Sequence, residues 1–235
     1  MFKLFLFFIL SIQLFGNIRV ATAGNVAFAM NDLVKEFYKE TNIKVIPVIG
    51  SSGKLTAQIK FNAPFDIFLS ANMKYPNYLY KIGKGVKKPK VYAKGRLILF
   101  SKNGINKIEE LFQQKSIAIA NPKTAPYGQA TIQYLKNRKL YNRLKNKFVF
   151  APNVSATFSY AMQVTDSGFI ARSLLFKFPK LNNSKYFIKL DESKYPPIEQ
   201  GVLLLNNKKE SVKFYNFLFS KKGKQIFRNY GYIIE

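Results

Sequence analysis

The chain has 235 residues, about 48% of them hydrophobic, with 38 Lys and Arg against 12 Asp and Glu and a formal charge of +26. It contains no Cys and no His, which excludes thiol chemistry, disulfides, and the commonest general base and transition-metal ligand. The length suits one large domain or two small ones, and the charge favours anionic partners.

The basic residues are scattered, and their longest clusters, Lys87-Lys88-Pro89-Lys90 and Lys221-Lys222-Gly223-Lys224, are short. They read as solvated loop or helix-end lysines, and there is no aromatic–basic interleaving of the kind that binds nucleic acid. The opening MFKLFLFFILSIQLFG has one early Lys and then an apolar run, Leu4 to Phe15. That run is too short to span a bilayer and fits an export signal cleaved near Gly16. The expected mature protein is periplasmic, soluble and monomeric.

Apolar runs of strand length alternate with amphipathic stretches, the pattern of an α/β fold with mostly parallel sheets. The first strand is Ile18 to Ala23, followed by a helix from Val26 through Tyr38. Lys44 to Ile49 is the second strand, and Leu55 to Ile59 opens the next helix. Strands follow at Asp66–Ser70, Arg96–Ser101 and Ser116–Ala120, then a helix around Gly128–Arg138. Phe148–Phe150, Gly168–Ala171 and Gly201–Leu205 complete the strands, and one long helix from Glu210 to Tyr230 ends the chain.

Ligands of parallel α/β sheets sit beyond the carboxyl ends of strands. Four junctions there are built of small or polar residues: Ala23-Gly24-Asn25, Gly50-Ser51-Ser52-Gly53, Ala125-Pro126-Tyr127-Gly128 and Pro152-Asn153-Val154-Ser155. Taken singly, each is an ordinary helix cap. Converging on one point, their unpaired backbone N–H groups would make an anion site that needs no Lys or Arg. Glycines 24, 50, 53 and 128 would let the backbone approach the ligand.

Catalysis has little to work with. Ser51 and Ser52 lack an activating His, leaving only a Ser–Lys hydrolase with Lys54 as an enzymatic alternative. Glu109-Glu110 and Asp191-Glu192 read as solvated pairs, and Asp66 as a structural carboxylate. No catalytic residue, cofactor or metal ligand is assigned.

The ordered segments VATAGNVAFAMNDLVKEF, GSSGKLTAQIKFNAPFDIFLSAN, PKTAPYGQAT, NVSATFSYAMQVTDSGFIA and FYNFLFSKKGKQIFRNYGY resemble the periplasmic molybdate/tungstate-binding proteins that serve ABC importers. The resemblance covers essentially the whole chain after the leader. It implies a type II periplasmic binding protein: two lobes, each a mixed, mostly parallel sheet flanked by helices, joined by two crossing strands. Lobe I would comprise residues 17–97 plus 202–235, and lobe II residues 98–201, with Arg96–Ser101 and Gly201–Leu205 as the crossings.

Carried over residue by residue, the resemblance implies that Asn25, Ser52, Tyr127 and Val154 hold the oxyanion, with Gly24, Ser51 and Gly53 as further contributors. Asn25 stands where many members have Ser, and Tyr127 and Val154 contribute backbone N–H groups. Ala171 replaces a Tyr found in some members, Asn72 follows Ala71 where the family usually has Asp, and Arg172 has no assigned role. The implied partners are a small oxyanion and the membrane permease of an ABC importer, with sulfate or phosphate as the alternative ligand. The only metal involved would be the one at the centre of the oxyanion.

Overall fold

The computed structural model describes residues 17–234; the leader and the cleavage position near Gly16 lie outside the described residues. The chain begins with β1 (Ile18–Ala23), α1 (Ala27–Thr41), β2 (Val45–Gly50), α2 (Ser52–Lys60), β3 (Ile67–Ser70), α3 (Lys74–Lys81) and β4 (Lys90–Gly95). It passes through Arg96 into β5 (Leu97–Phe100), β6 (Ile117–Ala120), α4 (Pro126–Asn137), α5 (Tyr141–Leu144), β7 (Phe148–Ala151), α6 (Val154–Gln163), β8 (Ser167–Ala171) and β9 (Phe187–Lys189). It returns through β10 (Ile198–Leu204) and closes with α7 (Lys209–Phe219) and α8 (Lys221–Asn229).

These strands form two five-stranded sheets, ordered β2-β1-β3-β10-β4 and β7-β6-β8-β5-β9. Both are mixed. In the first, β1 pairs in parallel with β2 and β3, while β10 runs antiparallel to β3 and β4. In the second, β6 pairs in parallel with β7 and β8, while β5 runs antiparallel to β8 and β9. The parallel halves send their chain onward through helices, and their carboxyl ends make the cleft described below.

Burial follows the two-residue period of a strand. In the first sheet Val20, Ile67, Leu69, Val202 and Leu204 face one core with Leu33, Phe37, Phe214 and Phe227. The alternate residues Ala21, Phe68 and Leu203 face a second core with Leu55, Ile59 and Leu79. Helix α1 buries Ala29, Met30, Leu33 and Phe37 along one stripe and stops at Asn42, whose left-handed backbone (φ 55°) ends the helix. Phe37 meets Phe214 edge-on, ring centroids 4.9 Å apart. The second sheet has its own core, including Phe100, Leu135, Phe158 and Phe169.

Three elements differ from the sequence expectation. The final helix is two helices, α7 and α8, broken where Ser220 turns extended (φ −65°, ψ 163°). Its hydroxyl donates to the Phe217 carbonyl at 2.8 Å and accepts from the Gly223 N–H at 3.1 Å, capping both ends at once. Helix α2 begins at Ser52, ahead of its first apolar residue, Leu55. Strand β10 begins at Ile198 rather than Gly201, because Ile198 to Gln200 already pair with β4. Strands β4 and β9 and helices α3 and α5 are additions.

Asp66 is structural, as expected. It is 4% exposed and accepts the Arg19 N–H at 2.7 Å, Asn206 Nδ2 at 2.7 Å and Lys208 Nζ at 3.0 Å, fastening β3 to β1 and to the segment after β10. Glu110 accepts the backbone N–H groups of Asn106 and Lys107, Asp191 caps Ser193, and Glu192 pairs with Arg96. Within the second basic cluster, Lys222 pairs with Glu36 and Glu40. No helix among the described residues is long and apolar enough to cross a membrane.

Candidate functional site

The carboxyl ends of β1 and β2 in one sheet face those of β6 and β7 in the other. The four junctions after them, from Ala23 to Asn25, Gly50 to Ser52, Ala125 to Tyr127 and Asn153 to Val154, together with Ala71, line one narrow cleft of about 10 Å³. That is far below the range of pockets for drug-sized ligands and leaves room for a small ligand only. Among the described lining residues there is no charged side chain. Asn25, Ser52, Tyr127 and Val154 are each 1–4% exposed.

Each junction is shaped by local chemistry. Ser51 caps α2, its Oγ accepting from the Lys54 backbone N–H at 3.4 Å. Ser52 is the first helical residue, and its Oγ accepts the Ala71 N–H at 3.0 Å. One hydroxyl carries one proton, so Ser52 keeps that proton for a ligand. Pro126 opens α4 and has no N–H, making Tyr127 the first residue of that helix able to donate from its backbone. Asn153 caps α6, its Oδ1 accepting from Ala156 N–H at 2.9 Å and from the Ser155 hydroxyl at 2.7 Å. The N–H groups at 52, 127 and 154 belong to first helical turns, where the α-helix supplies no partner.

A pattern missed in the sequence ties these three helices together. Buried threonines one turn further on bond back to the first turn or its cap: Thr56 to the Ser52 carbonyl at 2.7 Å, Thr131 to Tyr127 at 2.8 Å and Thr157 to Asn153 at 2.9 Å. The repeated Thr four residues after a junction residue was its signal. Such back-bonding engages carbonyls that helix geometry already employs, and it fixes the first turn that aims the N–H groups.

Asn25, expected to hold the oxyanion, has its side-chain amide engaged elsewhere. Its Nδ2 gives both protons away, to Gln200 Oε1 at 2.9 Å and Tyr232 OH at 2.8 Å. The orientation is set from behind: Gln200 Nε2 donates to the Ile198 carbonyl at 3.1 Å, so its Oε1 must face Asn25. The Asn25 carbonyl accepts from both Ser173 Oγ and Tyr232 OH at 2.9 Å. Its Oδ1 is buried with no partner among the described residues. Asn25 therefore offers the cleft its backbone N–H rather than its amide. Gln200 and Tyr232 were not singled out in the sequence; a lone Gln entering the apolar run of β10 was the available signal. Burial pushes the Tyr232 hydroxyl well above its ordinary range.

The Tyr127 ring turns away from the cleft into the core, its hydroxyl near Gln200, and burial raises its pKa well above the usual value. Ala171 ends β8, and the next residue, Arg172, lies outside the cleft lining.

The glycines serve close approach between protein segments, and Gly24 and Gly50 also line the cleft. A Cβ on Gly24 would come within 2.9 Å of Asn153 Oδ1 across the cleft, and one on Gly53 within 2.9 Å of the Thr124 carbonyl. Gly53 also spends its N–H on that carbonyl, at 2.8 Å, and so is withdrawn from the anion-donor set. Gly50 faces Leu55, and Gly128 packs on the Ala120 carbonyl. Lys54 meets Ser51 through its backbone rather than its ammonium, so the pair has the geometry of a helix cap.

Comparisons with known proteins agree with this architecture. The chain is 32% identical to the molybdate-binding protein ModA of Azotobacter vinelandii over 92% of its own length and 90% of the relative's. It is 30% identical to ModA of Rhodobacter capsulatus, over 94% and 89% of the two chains. The solved structure of the Azotobacter vinelandii periplasmic molybdate-binding protein superposes with a TM-score of 0.86 at 29% identity, covering 93% of this chain and 99% of that one. Residues 18–233 match the bacterial extracellular solute-binding proteins, and the chain belongs to that family.

Proposed function

We propose that this protein binds molybdate or tungstate in the periplasm and delivers it to the permease of an ABC importer, without catalysing a reaction. The observation that supports this most directly is the meeting of four strand-to-helix junctions at a small cleft without charged side chains. Donors there would be the Ser52 hydroxyl and the backbone N–H groups of Asn25, Ser52, Tyr127 and Val154. Each hydrogen bond to a charged ligand contributes roughly 1.5–3 kcal/mol. Helix N-termini supply the compensating positive potential, so the anion is held without a cation that would oppose its release.

The relatives named for molybdate align over nearly the whole chain, and a 29% identical solved structure is that of the substrate-binding domain of a putative molybdenum ABC transporter from Clostridium difficile. Sulfate is smaller, so it would leave some of these donors stretched and unpaired, which is costly in a buried site. The two sheets would act as lobes, the first running to Gly95 and resuming at Ile198 and the second spanning Leu97 to Lys189, closing on the ligand to give the form the permease recognises. Calorimetric titration with molybdate, tungstate and sulfate tests this. Tight binding of the first two and weak binding of sulfate is expected; no binding of molybdate or tungstate, or equal binding of all three, overturns it.

A further inference from the structure

A larger cavity, about 300 Å³, lies away from the cleft, where the two sheets are joined. Its lining draws on both connections: Arg96 and Leu97 from the passage between β4 and β5, and Lys189, Leu190 and Glu192 from the segment between β9 and β10. Arg172 and Phe176, in the 3-10 turn after β8, form another part of the wall.

Three cations face this space against one carboxylate. Arg96 Nε pairs with Glu192 Oε1 at 2.9 Å, but both side chains are about half exposed. Arg172 has no acid beside it among the described residues. Its guanidinium rests against the rings of Phe176 and Phe187, 4.5 and 4.4 Å from their centroids, and its Nη1 is buried without a hydrogen-bond partner. A guanidinium held on aromatic faces keeps its hydrogen-bonding donors in its own plane, in the fork that matches carboxylate and phosphate oxygens. An unpaired buried donor of this kind is costly unless something is meant to meet it. The neighbouring wall is apolar, formed by Leu97, Leu190 and Phe176.

We propose that this cavity is a second anion site, distinct from the cleft, for a small organic anion. A carboxylate or phosphate head would meet Arg172 and Arg96, and a short apolar body would lie against Leu97, Leu190 and Phe176. The proposal does not rest on which oxyanion the cleft takes.

Titration of the protein with phenyl phosphate, benzoate and inorganic phosphate at low salt tests it. One saturable site is expected for at least one aryl probe, which binds severalfold more tightly than inorganic phosphate because only the aryl probes reach the apolar wall. Comparing phenyl phosphate with benzoate identifies the preferred head group. Arg172→Gln should weaken the preferred aryl probe at least tenfold and Arg96→Gln severalfold, while Ser52→Ala leaves its affinity unchanged. If Arg172→Gln fails to fold, the half-exposed Arg96→Gln decides the question. Absence of saturable binding by both aryl probes, equal affinity in the arginine variants, or loss of binding in Ser52→Ala would each overturn the assignment.

Discussion

The Gly53 N–H donates to the Thr124 carbonyl at 2.8 Å, joining the first turn of α2 to the loop ahead of α4 across the cleft. No side chain fits between them, because a Cβ at 53 would lie 2.9 Å from the Thr124 oxygen and 2.9 Å from Tyr75 OH. Gly53→Ala should therefore hinder closure without disturbing either sheet. The expected result is an oxyanion affinity reduced about tenfold, roughly 1.4 kcal/mol, with little change in the melting temperature of the ligand-free protein. Calorimetry and thermal unfolding measured side by side check this.

Ser52→Ala should be more damaging to binding. The substitution removes a hydroxyl donor to a charged ligand, worth roughly 1.5–3 kcal/mol, and strips the buried Ala71 N–H of its acceptor. Molybdate affinity should fall by one to two orders of magnitude. An affinity unchanged within twofold would remove Ser52 from the donor set.

At Asn25 the expected cost falls on folding as well as on binding. Asn25→Ser deletes both amide protons, leaving Gln200 Oε1 and Tyr232 OH short of a donor in a buried position. Losing such partners costs about 1–3 kcal/mol per buried group, so a lower denaturation midpoint is expected. Asn25→Asp adds a carboxylate to a cleft meant for an anion and should abolish binding at neutral pH. Chemical denaturation and titration of the two variants separate the effects.

Dependence on pH should divide the same way. The one titratable side chain lining the cleft among the described residues is Tyr127, which burial holds well above its usual range, so affinity for a fully ionised oxyanion should be flat between about pH 6 and 9. Stability behaves otherwise at high pH. Burial, and then the hydrogen bond to Asp32 at 2.8 Å, push the Tyr230 hydroxyl up to about 12. A folded-state value above the unfolded one, about 10, gives a stabilisation complete below pH ~10 and lost as pH rises through the folded value, because the unfolded chain ionises first. Tyr230→Phe should flatten the fall in stability between about pH 10 and 12.

Much of this was legible in the sequence where short-range pattern and burial agree. Strand β1, enclosed between β2 and β3, reads IRVATA, buried at every position but Arg19, and was found with its bounds intact. The four junctions were legible because caps and glycines are local chemistry. Strand β4 was not: Lys90 to Gly95 sets adjacent buried Tyr92 and Ala93 between two lysines, without the strand's alternation, and its pairing with β10 is decided far along the chain. The break at Ser220 was hidden by an apolar stripe that continues through both α7 and α8. The role of Asn25 was invisible for a similar reason, since its amide is claimed by residues 175 and 207 positions away. Local pattern names the residue that reaches a site, whereas distant partners decide which of its atoms is left free.

The contacts spanning the two sheets also bear on time. Gly53 to Thr124, Ser173 to the Asn25 carbonyl, and the edge-on meeting of Phe28 with Phe178, 5.6 Å between ring centroids, all bridge the two halves. Their separation widens the way out of a cleft whose walls are almost wholly buried. A weakly held anion and a tightly held one must wait for the same separation, so its frequency sets a ceiling on exchange that they share. A partner that pries these contacts apart would shorten the residence time of either without touching the groups that hold it.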